Sequence, residues 1–347
     1  MAILTFVGSG QMASALTYPV VENGHEVRLV GTHLDREIID ELKSSNFHKN
    51  LNRTLHDTVK YYQIEEVKEA LAGAEVVLCG VSSFGVDWFL EEIIPLVPLT
   101  TPIIAVTKGL INCGDGTMIS YPQYWESKME DENKRSIYGI GGPCTSYELA
   151  DKDHSAVAFC GPDMEILRKL KSYFSAPYYH VSLSTDVVGV ECAVALKNAY
   201  ALAVTLAVGL SEARDGIGIQ HYNSQAALFG QSVKEMTRLL QMVGGGAENM
   251  VYGAGDLYVT VFGGRTRRIG TLLGRGMSFD EAMKELAGVT LESIVIASRM
   301  AQCIRTLVTR GEVEASNFPL LLHIDDIINN NAPVDIPWKA FEEEVIS

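Results

Sequence analysis

Two stretches of this sequence have residue types and spacings suited to chemistry. The first, Gly8-Ser9-Gly10-Gln11-Met12-Ala13, follows a short apolar run and leads into helical periodicity. Gly8, Gly10 and Ala13 have the GxGxxA spacing of a dinucleotide fingerprint. The first glycine makes a tight turn and the second lets a pyrophosphate approach the backbone. The small third residue lets a helix pack on the strand while its N-terminus faces the phosphates. The second stretch is YGAGDLYVTVFGGRTRRIG, residues 252–270, where Arg265, Arg267 and Arg268 stand against one acid, Asp256, in a chain of formal net charge −15. Read locally, Asp256 caps a helix start, LYVTVF makes two turns, Gly263 and Gly264 stop it, and the arginines sit on its last carbonyls. In so acidic a chain, an anionic ligand has to be met by a local cluster of this kind.

The elements that position the first stretch read as a strand, a helix and a second strand, AILTFV through EVRLVG. More strands follow at AEVVLCGVS, TPIIAVTKG and SIYGIGG, with helical stretches between several of them. That alternation predicts an α/β fold with a Rossmann-type, doubly wound, mostly parallel sheet. Ligands of such sheets bind beyond the carboxyl ends of the strands, which points to Ser82, Lys108 and the loop GGPCTSYE with its Cys144. An acid ending the second strand would hold a ribose hydroxyl; here Gly31, Thr32 and His33 stand there, with Arg36 shortly after. This leans toward NADP, or toward use of both NADP and NAD, while Arg36 reads equally as a surface residue of the next helix.

Past about residue 184 the strand signals stop and long helices dominate, so the expected division is a nucleotide-binding domain over 1–183 and a helical domain over 184–347. A length of 347 residues suits two domains. Ser184, Thr185 or Asp186 would cap the first long helix. Residues 187–210 are apolar enough to cross a bilayer, but Glu191, Lys197 and Asn198 interrupt them, and a helix buried in protein is expected instead of membrane insertion. Net negative charge argues against nucleic acid and anionic membrane as partners. Six scattered cysteines, with no CxxC and no Cys–His ligand spacing, predict buried thiols in a reducing cytosol and no metal. Met1 leads directly into a strand without a basic-then-apolar leader, so the expected location is cytoplasmic.

Taken together, GSGQMASA, VTKG, VGVECAVALKNAYAL, HYNSQAALFGQSVKEM and GAGDLYVTVFGGRTRRIG resemble the soluble NAD(P)-dependent glycerol-3-phosphate dehydrogenases, from the first strand to about FPLLLHIDDII. The resemblance implies reversible reduction of dihydroxyacetone phosphate to sn-glycerol 3-phosphate, by a homodimer with an all-helical C-terminal substrate domain. It implies Lys197 as the catalytic lysine with Lys108 and Asp256 as partners, and Asn198, Thr260, Arg265 and Thr266 on the substrate. Gly8, Ser9, Gly10, Gln11, Met12, Arg36, Ser82, Cys144 and Glu292 are implied to lie at the cofactor.

The chemistry suits those roles, because hydride reduction of a ketone creates an incipient alkoxide that needs a cation and then a proton. Arg265 suits a phosphate, since a guanidinium holds two oxygens at once. Three positions depart from the family pattern: Thr266 replaces an asparagine, Cys144 stands where asparagine or a small residue is usual, and Ser293 replaces the glycine after Glu292. A dehydrogenase of a related sugar or polyol phosphate is therefore the alternative within the same chemistry. A nucleotide-sensing protein without turnover is the alternative from another class.

Overall fold

Eight short strands of the chain pair into one sheet: β1 (Ile3–Val7), β2 (Glu26–Val30), β3 (Lys60–Tyr62), β4 (Val76–Cys79), β5 (Ile103–Ala105), β6 (Ile137–Gly141), β7 (Ser155–Cys160) and β8 (Tyr179–Ser184). Their order across the sheet is β8-β7-β6-β5-β4-β1-β2-β3. All neighbours are parallel except β6 and β7, which run antiparallel with Gly139 opposite Cys160. The first six strands thus have the doubly wound order of dinucleotide-binding folds, with the switch point between β1 and β4. Strand β1 is central, Leu4 lying between Val27 and Val76 and Val7 between Val30 and Cys79. Leu4, Phe6 and Val7 of β1 and Val76, Val77, Leu78 and Cys79 of β4 are fully buried, which is why these two central strands read as near-continuous apolar runs, whereas β2 alternates through Glu26 and Arg28.

This computed structural model describes residues 1–289 and 291–342. It divides into two compact units, Met1–Lys108 with Ser120–Glu191, and Gly109–Ile119 with Cys192–Ser347. The chain passes between them after Glu191, inside a helix, whereas the sequence suggested a division at residue 183.

In the first unit, α1 (Gln11–Ala15) continues through helical Leu16 into α2 (Thr17–Glu22), and α3 (Arg36–Ser45) follows β2. The second unit is built on α4 (Val187–Asp215), α5 (Tyr222–Met242), α6 (Met250–Val261), α7 (Gly264–Gly274), α8 (Phe279–Glu285), α9 (Glu292–Thr309) and α10 (Pro319–Asn330). To these helices the chain adds one hairpin from its first half, Leu110–Asn112 with Met118–Ser120. Arg299 donates to the carbonyl of Leu110 at 3.0 Å and the Cys303 thiol to that of Gly116 at 2.8 Å, tying the hairpin to α9.

Asp186 caps α4, accepting from the amide of Gly189 at 2.7 Å. The helix is long and apolar enough to cross a membrane, yet most of that stretch is buried inside the protein, as befits a helix apolar all round. Glu235 of α5 starts α10: its buried carboxylate accepts from the amides of Leu320 and Leu321 at 2.8 and 3.0 Å, from Tyr200 at 3.0 Å and from Gln231 at 2.9 Å. Burial pushes that carboxyl up, and these donors oppose the shift.

Candidate functional site

In the first unit the turn from β1 to α1 is shaped by Gly8, whose φ of +102° favours glycine. A Cβ there would also lie 2.8 Å from the backbone carbon of Gly80, just beyond β4. Ala13 meets the same residue: a Cβ on Gly80 would stand 2.5 Å from that of Ala13, so both must be small for α1 to pack against the sheet. Gly10 is the N-cap of α1, and no side chain caps the helix start. Ser9 is buried, and its hydroxyl has no hydrogen-bond partner. An uncapped helix start beside an orphaned hydroxyl fits the pyrophosphate of a dinucleotide.

Gln11 is exposed and Met12 packs on the core. Ser82 is exposed beyond β4, and half-buried Cys144 also packs on the core. Lys108, half-buried beyond β5, donates to the carbonyl of Gly142 at 3.4 Å, so it reaches the GGPCTSYE loop. Arg36, the first residue of α3, forms a two-pronged ion pair with Glu65 on an exposed surface.

Two residues not singled out from the sequence support this turn. Asp35 accepts from the amide and hydroxyl of Thr32, each at 2.8 Å, and from the amide of Ser9 at 3.4 Å. His48, fully buried, meets the Ser9 carbonyl through Nε2 at 2.8 Å. An acid therefore does stand near the end of β2, four residues past Gly31 and bonded to the backbone. Its position as the residue before a helix was the available signal.

In the second unit α4 and α6 cross at Gly253, where a Cβ would be 2.6 Å from the carbonyl oxygen of Ala193. One turn onward on each helix stand Asp256 and Lys197, which this close crossing brings into a hydrogen-bonded ion pair. Asp256 is 0% exposed and Lys197 14% exposed at the side chain. The Thr260 hydroxyl donates to the backbone carbonyl of Asp256 at 2.7 Å, and half-buried Asn198 is the neighbour of Lys197 on α4.

Asp256 is not a helix cap, contrary to the local reading. Helix α6 begins at Met250 after Asn249, and Asp256 lies well inside it because Gly253 and Gly255 are helical residues. Gly263 and Gly264 do end α6, but they also begin α7, Gly264 with a φ of +79°. The arginines thus occupy the first turns of a new helix. Only Arg267 reaches back, donating to the carbonyl of Val261 at 2.7 Å. Arg265 is exposed and, among the described residues, no ion pair or hydrogen bond engages it. It lines a cleft of about 670 Å³ with Arg267, Arg268, Arg275 and Glu212. Thr266 beside it is half-buried. Glu292 and Ser293 open α9, and Ser293 is buried with its hydroxyl unpartnered among the described residues.

Comparison with known proteins gives the following matches. The model of the NAD-dependent glycerol-3-phosphate dehydrogenase N-terminus matches residues 3–166, and that of the C-terminus matches residues 186–338. The chain is 34% identical over 287 residues to an NADP(+)-dependent glycerol-3-phosphate dehydrogenase of Archaeoglobus fulgidus, covering 82% of this chain and 83% of that one. It is 28% identical over 338 residues to a glycerol-3-phosphate dehydrogenase [NAD(P)+] of Bacillus cereus, with 95% and 92% covered. In fold it is similar to the glycerol-3-phosphate dehydrogenase of Coxiella burnetii, at a TM-score of 0.79 and 24% identity over 98% and 97% of the chains. It is also similar to that of Saccharomyces cerevisiae, at 0.81 and 19% over 99% of each.

Proposed function

Since the chain belongs to the NAD-dependent glycerol-3-phosphate dehydrogenase family, we propose that it reduces dihydroxyacetone phosphate to sn-glycerol 3-phosphate, reversibly, with NADPH or NADH. The observation that carries this reading is the ion pair of Lys197 and Asp256, placed by a glycine crossing in the second unit. A reduced nicotinamide, held by the Gly8 to Met12 turn, would supply the hydride for the carbonyl carbon. As the carbonyl π bond breaks, its oxygen gains negative charge, and the Lys197 ammonium stabilises that oxygen and passes it a proton. In the reverse direction the same amine takes the proton from the alcohol. Asp256, fully buried, orients the amine and balances its charge. Lys108 is the second catalytic partner in this reading, and Asn198 is a substrate ligand. Thr260, on the Asp256 helix, and Thr266 hydrogen-bond around its phosphate, which the free guanidinium of Arg265 grips.

On the cofactor side the Gly8 to Met12 turn holds the pyrophosphate, with Ser82, Cys144 and Glu292 further along the dinucleotide. Arg36 serves NADP only by exchanging its partner Glu65 for a 2′-phosphate, which makes it the residue that sets cofactor preference. The NADP(+)-dependent relative at 34% identity supports that lean. A homodimer in the cytoplasm belongs to the same reading, and sedimentation of the purified chain tests the dimer.

Steady-state kcat/KM values for dihydroxyacetone phosphate and for longer ketose phosphates test the substrate. A higher value for a longer ketose would transfer the assignment to a sugar-phosphate dehydrogenase. Thr266 favours that second reading, because one hydroxyl replaces an amide beside a cleft of about 670 Å³. NADPH binding without oxidation by any ketose phosphate would identify a sensor instead.

A further inference from the structure

Glu65 enters the reading above only as the partner that Arg36 gives up, yet its position gives it a role of its own. Both residues belong to the first unit and follow neighbouring parallel strands. Val30 of β2 lies beside Tyr62 of β3, and the amide of Gly31 continues the pairing to the Tyr62 carbonyl at 3.0 Å. Arg36 opens α3 beyond β2, and Glu65 lies three residues past the end of β3, so the two meet beyond the carboxyl ends of the strands. In Rossmann-type sheets the end of the second strand faces the adenosine ribose, whose 2′ oxygen carries the phosphate that separates NADP from NAD.

The pair is doubly bonded, Arg36 donating from Nη2 to Oε1 and from Nη1 to Oε2, the latter at 3.3 Å. A lone exposed ion pair is a weak contact, but three further bonds fasten the segment of Glu65 to α3. Gln63 Nε2 donates to the carbonyl of Arg36 at 3.1 Å and to Oδ1 of Asp40 at 2.9 Å, and Lys43 donates to Glu66 at 2.9 Å. Oε2 of Glu66 also accepts from the Gln63 amide at 2.7 Å, which closes the segment on itself. Asp35, next to Arg36, is turned to the amide and hydroxyl of Thr32. Among the described residues, Glu65 is therefore the one carboxylate hydrogen-bonded to Arg36. With side chains 52% and 59% exposed, the pair lies open to a ligand arriving from solvent.

A 2′-phosphate and the Glu65 carboxylate compete for the same fork of the guanidinium. The phosphate can displace the carboxylate, but Glu65 then stays close by as a like charge, because its segment remains tied to α3. A cofactor with a plain 2′-hydroxyl needs no such exchange. We propose that Glu65 is a specificity-determining residue: by occupying Arg36 it weakens binding of the 2′-phosphorylated cofactor and leaves binding of NADH alone. The proposal rests on the reading that Arg36 meets the 2′-phosphate, and it assigns to Glu65 the opposing share of that preference.

Isothermal titration of the full-length wild type, E65Q and R36Q with NADPH, NADH, adenosine 2′,5′-bisphosphate and adenosine 5′-phosphate tests this without turnover. At low salt E65Q should bind NADPH and the bisphosphate about five- to thirtyfold more tightly, the effect of a unit charge about 4 Å from a singly or doubly charged phosphate in water. Its affinity for NADH and the monophosphate should not change. Raising the salt to about 1 M should remove most of the gain, which a change of packing would not do. Unchanged NADPH binding in E65Q, or an equal gain for both cofactors, overturns the proposal. R36Q separates the two readings. If R36Q loses NADPH affinity while E65Q gains none, Arg36 keeps its role and the proposal falls. If R36Q binds NADPH as the wild type does, the Arg36 reading falls and the proposal falls with it.

Discussion

Replacing Asp256 by asparagine keeps the side-chain shape but takes from the mostly buried Lys197 ammonium the carboxylate it is bonded to. Asp256 has no exposure and Lys197 has 14%, so little solvent screens the loss. Breaking a buried pair from one side costs about 3–5 kcal/mol. For a chain of this size that corresponds to a fall in Tm of roughly 4–7 °C. K197M should cost a similar amount, now by taking the ammonium away from the buried carboxylate. The double variant K197M/D256L removes both charges and should recover most of the stability, since apolar replacement of a buried pair is often neutral. It should recover none of the activity. Calorimetric melting and single-turnover NADPH oxidation on the same four proteins separate the two effects. Losses of stability that simply add in the double variant, or turnover that survives there, would refute the argument that this pair is both a coupled charge pair and the proton donor.

Arg265→Ala should raise KM for the phosphorylated ketone about 30- to 150-fold with kcat little changed, the equivalent of about 2–3 kcal/mol for charge-assisted hydrogen bonds discounted for exposure. An unchanged KM in steady-state assays would remove Arg265 from phosphate binding. Glu235→Ala takes away the acceptor shared by Tyr200, Gln231 and the amides of Leu320 and Leu321. Urea unfolding should show a loss of at least about 3 kcal/mol, from several buried donors left unpaired; a loss under 1 kcal/mol, on the order of an exposed contact, would contradict the anchoring of α10. Glu191 sets a pH dependence of stability. Its carboxyl is raised in the folded state to about 8, so its contribution is fully present below the ordinary carboxylate range and is lost as pH rises toward 8. The Tm of E191Q relative to the wild type should therefore climb between pH 5 and 8, and a constant difference would contradict it.

Local signals made the nucleotide-binding half legible. Glycines at fixed spacing between an apolar run and a helix leave few alternatives, and the turn at Gly8 follows from steric limits that act over a few residues. Strands β3, β7 and β8 escaped notice for a related reason: KYY is three residues long at a sheet edge with no buried residue, and β8 alternates buried with exposed positions where the central strands β4, β5 and β6 are buried throughout. The start of α6 was misplaced because Gly253 and Gly255 look like helix breakers before Asp256. Only the three-dimensional crossing, with the Ala193 carbonyl against Gly253, explains glycine inside that helix. Glu191 was visible merely as an interruption in an apolar stretch. Its neighbours, Gly139 and Cys160, are 52 and 31 residues away in sequence and have no local signature. Asp35 was passed over because its carboxylate turns back to Thr32, a contact set by side-chain rotation rather than by position on the strand.

The central claim is that this chain carries hydride from NAD(P)H to dihydroxyacetone phosphate with Lys197 supplying the proton. Its most direct test is a single-turnover reaction of the NADPH-loaded protein with dihydroxyacetone phosphate, in wild type and K197M, with the product identified by its stereochemistry. The wild type should give one sn-glycerol 3-phosphate per NADPH oxidised, and K197M should bind both reactants yet give almost none. Equal rates in the two proteins, or no sn-glycerol 3-phosphate from the wild type, would contradict the account.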